Sequence, residues 1–213
     1  RDIVRDLRVF SRADEEATGS VDVHQVLESS LRMAWNEIRH RARLVKDYGI
    51  VPRVHGNEGR LGQVFLNLFV NAAQAITEGQ HEANAIRVVT RQVGAGEVVV
   101  DVTDTGCGMD EPTVSRIFDP FFTTKPIGQG TGLGLAICHR IVTGFGGRLD
   151  VNSTLGRGTT FSVRLRTDEG PPVKRSQPPV ATSRRGRVLV VDDEPALGGI
   201  VRRMLSPQHE VLA

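Results

Sequence analysis

An excess of charge of either sign is what this chain most plainly lacks. Its 27 Lys and Arg stand against 25 Asp and Glu, a formal net charge of +2 over 213 residues. That balance gives no electrostatic case for binding nucleic acid or a membrane surface. Aromatics are scarce, with one Trp, one Tyr and eight Phe. The phenylalanines are not interleaved with basic runs, as a base-stacking platform requires. The two cysteines, Cys107 and Cys138, are too few for a disulfide framework, and their spacing does not suit metal ligation. A reducing cytoplasm is the expected compartment. No apolar run approaches the roughly 18 residues of a membrane-spanning helix, and no signal sequence is visible. The first residue is not Met and the chain opens inside an amphipathic pattern. The expectation is a fragment whose upstream part is missing, with any membrane anchor of the full-length protein lying there.

What the chain does have is an unusual helix. Over residues 57–76, Leu61, Val64, Phe65, Leu68, Ala72, Ala75 and Ile76 recur at helical spacing and predict a buried stripe. Gln63, Asn67 and Asn71 repeat every four residues and form a second, carboxamide stripe. A solvated face would carry Lys, Glu and Arg, yet no charge occurs from Gln63 to Ile76. Buried amides need partners. Amide oxygens also suit hard cations such as Mg2+, which often sit with phosphates. Satisfied core amides and a ligand wall both remain open on this segment alone.

Around it, a helix is predicted after Asp22, a good N-cap, with Val23, Val26, Leu27, Leu31, Ala34 and Ile38 inward. A short strand is predicted over 43–47. Two stronger ones, 85–93 and 97–104, are joined by Gly94-Ala95-Gly96. Residues 105–132 are punctuated by Gly and Pro and lack periodicity. A helix over 133–143 and strands over 148–153 and 159–166 follow. This order implies an α/β fold: a two-layer sandwich of a mixed, mostly antiparallel sheet with helices on one face. Residues 167–186 contain four prolines and read as a linker. Arg187-Val-Leu-Val-Val191 reads as a buried strand running into Asp192-Asp193-Glu194, and a helical pattern begins near Ala196. These last 27 residues are too few to bury a core of their own.

Three further stretches carry chemistry. In D104-T-G-C-G108, one aspartate ends a strand before two glycines that permit close backbone approach. Its carboxylate accepts hydrogen bonds and so suits the exocyclic amine of adenine, though a plain Asp-Gly turn explains the same residues. In G128-Q-G-T-G-L-G134, four glycines alternate just before a helix whose N-terminus offers N–H groups and a positive dipole end to phosphate; a flexible hinge is the plainer alternative. Neither a P-loop nor a Rossmann fingerprint is present. Between them, Phe118, Phe121 and Phe122 cluster without period and are expected to be buried against something. Lys125 then places a cation ahead of the glycines, although most lysines are simply solvated.

The ordered set N67-x3-N71, D104-x-G106-x-G108, F118-x2-F121-F122 and G128-x-G130-x-G132-x-G134 resembles the N, G1, F and G2 boxes of sensor histidine kinases. Each piece is weak alone; four in register are specific. The resemblance covers residues 20–166, and the fold is shared with type II topoisomerases and mismatch-repair ATPases. It implies ATP and Mg2+ as cofactors, with Asn71 as the Mg2+ ligand and Asn67 beside it. Asp104 is implied as the adenine-amine acceptor, Gly106 and Gly108 as shaping the base site, and Thr159 as its support from the last strand. Gly130, Thr131, Gly132, Leu133 and Gly134 are implied in the phosphate-contacting lid, and Lys125 as reaching the phosphates. Asn67, Asn71 and Lys125 form the implied catalytic set. Gln63 stands where the family often has an acidic residue or His as candidate base; it cannot take a proton, so the base stays open.

The flanks resemble the same family. Residues 1–17 resemble the end of a dimerisation and phosphoacceptor helix, 18–166 the catalytic ATP-binding domain, 167–186 a linker, and 187–213 the start of a truncated response-regulator receiver. Asp192 and Asp193 are then implied Mg2+ ligands of that receiver. None of the six histidines sits in a His-Glu-x-x-Asn-Pro-type segment, so the phosphoacceptor is expected upstream. The implied partners are ATP, the chain's own dimerisation and phosphoacceptor domain, and a receiver in cis or on a separate response regulator. No nucleic-acid or membrane contact is expected. The alternatives are an ATPase or protein serine kinase of the same fold, or a nucleotide-binding module without catalysis.

Overall fold

The computed structural model describes residues 18–79, 81–126, 130–168, 187–189 and 210–212. Two units separate, residues 1–170 and 171–213, and each is taken by itself.

In the first unit, β1 (Gly19–Val21) leads through Asp22 into α1 (Val23–Ile38). The Asp22 side chain accepts hydrogen bonds from the N–H groups of His24 and Gln25, the expected cap. β2 (Arg43–Tyr48) and β3 (Val54–Gly56) follow, then α2 (Glu58–Gln74), capped by Asn57, whose side chain accepts from the Arg60 N–H. A 3-10 turn (His81–Ala83) precedes the hairpin of β4 (Ala85–Val93) and β5 (Glu97–Asp104). A single turn, α3 (Glu111–Val114), interrupts the long loop. α4 (Gly134–Gly144) and the hairpin of β6 (Arg148–Thr154) and β7 (Gly158–Arg166) complete the unit.

The main sheet runs β2-β4-β5-β7-β6. Only β2–β4 is parallel; the other pairs are antiparallel. A parallel pair needs a crossover rather than a tight turn, and β3 with α2 supplies it. The mixed, mostly antiparallel sheet is as expected. Sequence periodicity missed β1 and β3, which pair with each other as a separate two-stranded ribbon. Three-residue strands are too short to show a period.

Period 2 sorts the sheet faces. Val98, Val100 and Val102 of β5 and Phe161, Val163 and Leu165 of β7 are buried on the helix-bearing face. The opposite face is polar and laced by ion pairs: Arg91 with Asp101 at 3.1 Å, and Arg164 with both Asp150 at 3.0 Å and Glu97 at 3.1 Å. Helices therefore cover one face only. α2 is the central one, packed on α1, α4 and β5. Its Phe65 and Phe69 are fully buried, with ring centroids 6.4 Å apart. Ser30 of α1, also fully buried, donates its hydroxyl to the Gly62 carbonyl at 3.2 Å.

Thr167 and Asp168, read above as linker, hydrogen bond to this unit. The Thr167 N–H donates to the Gly96 carbonyl and the Asp168 N–H to the Arg53 carbonyl, each at 2.9 Å. In the second unit, β8 (Arg187–Leu189) pairs in parallel with β9 (Glu210–Leu212). Asp192 and Asp193, the helical pattern from Ala196, and residues 1–17 with their expected helix end lie outside the described residues. Among the described residues, no helix is long and apolar enough to cross a membrane.

Candidate functional site

One line along α2 gathers the site. Gln63, Asn67, Asn71 and Ala75 are four residues apart and all half-buried, between the core face and solvent. Ala75 was expected in the apolar stripe; it ends the amide line instead, and Phe69 and Ala73 fill the core face. Placing the stripe one position off is easy where Ala, small and mildly apolar, fits either side. Along this line three chain segments arrive in turn.

At its middle, Asn67 donates from Nδ2 to the Gly134 carbonyl at 3.3 Å, at the first residue of α4. A Cβ on Gly134 would stand 3.2 Å from Asn67 Oδ1, so glycine lets the helix start lie against the amide. Cys138, one turn further on, is fully buried and its thiol faces the Val64 carbonyl at 3.8 Å. Burial pushes that thiol up to about 12, against a hydrogen bond with Asn67, so it is an inert core group. No side chain caps the N-terminus of α4, whose N-cap Leu133 is buried.

One turn along, Lys125 Nζ donates to Asn71 Oδ1 at 3.1 Å and to Gln74 Oε1 at 2.5 Å. Burial holds this ammonium below the usual lysine value. Two amide oxygens thus converge on one cation. Gln74 was absent from the sequence-based site, because a single exposed glutamine at a helix end carries no signal of its own.

At the end of the line, the carbonyl of Ala75 accepts from the Cys107 N–H at 2.9 Å. A Cβ on Gly106 would lie 2.6 Å from that carbonyl oxygen, which is why the loop needs glycine there. Asp104 closes β5 on the same face as Val98, Val100 and Val102 and is only 4% exposed. Its Oδ1 accepts from the Gly106 N–H at 2.8 Å. Burial raises its carboxyl to about 6, opposed by hydrogen bonds from the backbone N–H groups of Gly106 and Thr159. Thr159 is the cross-strand partner of Asp104, also buried, and shares a 2.9 Å hydrogen bond with Ser153. Gly108, at positive φ, has its Cα side against the Thr154 carbonyl. The β6–β7 hairpin therefore braces the loop, a role that Ser153 and Gly158 add to the sequence-based set.

The lid segment differs from expectation in one respect. Phe118 and Phe122 are half-buried: the Phe118 and His139 rings are tilted against each other with centroids 5.0 Å apart, and Arg116 lies 4.4 Å over the Phe122 ring. Phe121 is 67% exposed with φ of 68°. Its N–H donates to the Gly132 carbonyl at 3.0 Å, and Gly132 at φ of 67° abuts the Phe121 backbone. This two-residue backbone clasp turns the ring outward, so clustering in sequence did not mean burial. Thr131 Oγ1 accepts from the Leu133 N–H at 3.3 Å, and Gly130 is exposed beside Thr123 and Lys125. Among the described residues, no group of three or more His, Cys, Asp or Glu could hold a metal.

Comparison with known proteins places the fold in a family. Residues 56–169 match the family described as histidine kinase-, DNA gyrase B-, and HSP90-like ATPase. The chain is 37% identical over 165 residues to the sensor histidine kinase ZraS of Escherichia coli (strain K12), covering 76% of this chain and 34% of that protein. It is 34% identical over 226 residues to the sensor kinase CckA of Brucella abortus (strain 2308), covering 93% of this chain and 23% of that protein. The chain thus spans about a third or less of those relatives. Among solved structures, the mycobacterial sensor histidine kinase MprB superposes with a TM-score of 0.62 at 27% identity, over 70% of this chain and 97% of that one. A fold with helices on one face of a mixed sheet, the Asn67–Asn71 helix met by the Asp104–Gly108 loop and by Gly134, and these matches lead to one conclusion: the chain belongs to the histidine kinase-, DNA gyrase B- and HSP90-like ATPase family and carries the ATP-binding catalytic core of a sensor histidine kinase.

Proposed function

We propose that the line Asn67–Asn71–Ala75 of α2 is the wall of a Mg2+–ATP site, from which the γ-phosphate passes to a histidine on a segment upstream and then to a receiver aspartate. The observation that supports this most is the convergence of Asn71 Oδ1 and Gln74 Oε1 on the Lys125 ammonium, at 3.1 and 2.5 Å. Oxygen donors already gathered around a positive charge suit a hard cation that takes its remaining ligands from phosphate and water. Asn71 would hold the metal. The charge such a metal would supply there is what offsets the charge developing on a transferred phosphoryl group.

The protein's own groups then have separate tasks. Asp104 accepts from the adenine amine, with Thr159 and the Gly106 and Gly108 loop shaping the base end. Asn67 orients the start of α4 through the Gly134 carbonyl, aiming its uncapped N–H groups at the phosphates. Gly130, Thr131, Gly132 and Leu133 complete that approach, and Lys125 neutralises phosphate charge. Little covalent work falls to this module, and positioning dominates. Gln63 has no proton to take or give at neutral pH and serves as a positioning amide.

We extend the reading to the flanks: residues 1–17 as the end of the dimerisation and phosphoacceptor helix, 167–186 as a linker, and 187–213 as the start of a receiver, with Asp192 and Asp193 as its Mg2+ ligands. The parallel pairing of β8 with β9 supports this, since parallel neighbours are what a β-helix-β receiver start requires. The match to the Brucella sensor kinase, over 93% of the chain, also favours it. The partners would be ATP, the phosphoacceptor helices and a receiver in cis or in trans, acting in the cytoplasm.

Incubation of the 213-residue chain with γ-labelled ATP and Mg2+ tests the assignment. Nucleotide binding without acid-labile self-labelling is expected, with labelling of a histidine-bearing dimerisation segment added in trans. Acid-labile label on the chain alone would overturn it, and steady ATP hydrolysis without transfer would favour an ATPase.

A further inference from the structure

Lys125 and the metal reading compete for one atom. Asn71 Oδ1, the oxygen assigned to Mg2+, is the atom that accepts from Lys125 Nζ at 3.1 Å. A Mg2+ ion on that oxygen sits about 2.1 Å from it, within the space the ammonium occupies. Two cations that close repel strongly where water is thin, and Lys125 is only half-exposed. The lysine must therefore leave Asn71 when the metal arrives. Gln74 Oε1 is the other acceptor, at 2.5 Å. It lies three residues beyond Asn71, on the adjoining helix face, and is exposed. No core contact explains its place. Lys125 is further restrained near its backbone, where its N–H donates to Thr123 Oγ1 at 3.1 Å. Gly130 lies against Thr123 and the Lys125 stem, so the parked lysine also seats Gly130.

We infer that Gln74 is a positioning residue that parks the Lys125 ammonium on α2, and that Lys125 and Mg2+ are mutually exclusive partners of Asn71. Gln74 thus sets how readily the lid lysine transfers from helix to triphosphate. The inference rests on the Mg2+–ATP reading above. It assigns Gln74 an effect opposite to that of a nucleotide-contacting residue: removing its amide oxygen should help binding, because less must be broken before the lysine moves.

Calorimetric titration of the full chain with Mg2+-ATP, in wild type, Gln74→Ala, Lys125→Met and the double variant, tests this. Gln74→Ala should tighten binding about threefold, the scale of one net hydrogen bond at a half-exposed site. The same change in the Lys125→Met background should do nothing. Without nucleotide, amides of residues 123–125 should exchange faster in Gln74→Ala than in wild type. Weaker or unchanged binding in Gln74→Ala, or an equal gain without Lys125, would overturn the inference. The exchange arm separates the two ideas: a wild-type chain that does not bind Mg2+-ATP refutes the site assignment. Unchanged exchange at 123–125 refutes the parking of Lys125 in either case.

Discussion

The two ends of this site, the one assigned above to the base and the one assigned to the phosphates, are held by different kinds of contact. At the base end, Asp104, Gly106, Cys107 and Thr159 are tied by backbone. Asp104 and Thr159 face each other across paired strands, and the Cys107 N–H bonds the last turn of α2. At the phosphate end, side chains do the holding: Asn67 to Gly134, Lys125 to Asn71 and Gln74, and Arg116 over Phe122. Backbone ladders come with the fold and open only when it opens. Side-chain contacts at half-exposed positions are each worth about 1 kcal/mol and can be exchanged one at a time. The lesson is that one helix serves as a fixed wall for one end and a set of moorings for the other.

The largest expected effect tests the shared wall. Phe65→Ala empties a fully buried position on the core face of α2 and should cost about 3–5 kcal/mol of stability. Urea unfolding should show both ends lost in one transition; two separate transitions would mean that α2 does not couple them.

Next comes the base end alone. Asp104→Asn removes the charge and replaces one acceptor oxygen with an NH2 donor, and should weaken ATP binding at least about tenfold, the scale of a hydrogen bond to a charged group. The fold should not suffer. The carboxyl is raised to about 6 by burial, so its ionised form opposes folding at neutral pH. A raised carboxyl contributes stability that is full below its unfolded value and is lost as pH rises through about 6. The variant's melting temperature at neutral pH should therefore equal or exceed wild type. A lower one would show that the charge is structural.

The same shift gives a pH profile with the opposite sign for binding. Only the ionised Asp104 is a pure acceptor. ATP affinity measured by calorimetry should fall as pH drops through about 6, while the fold gains from the same proton. Affinity flat from neutral pH to 5 would remove Asp104 from the base site.

The smallest effect belongs to the phosphate end. Arg116→Ala loses a cation–π contact worth about 0.5–1 kcal/mol at an exposed site. Hydrogen exchange near Phe122 should quicken, with β5 and β7 unaffected. Equal quickening in those strands would erase the contrast between the two ends.

Much of this was open to reading along the chain. The four boxes are short, ordered and locally encoded, and the valine-rich run over 97–104 declares itself a strand. Asp104 ends that run in step with Val98, Val100 and Val102, so period 2 puts it on their face. Other features were not legible. Ala75 fits either stripe of α2 by composition; only the approach of Gly106 shows which it joins. Gln74 has no neighbour in sequence that explains it, since its partner is 51 residues away. Phe121 looks like core by type and is turned outward by a backbone bond to Gly132.

By itself, then, the sequence determined which residue types this protein brings to its proposed nucleotide site, and the helices and strands that carry them, because helical and strand periods, caps and glycine turns are local properties. Tertiary structure alone decided that the amide line of α2 meets the start of α4, Lys125 and the β5 loop in turn. Those meetings depend on how a helix lies over a sheet and how far distant loops reach, and no local spacing encodes either.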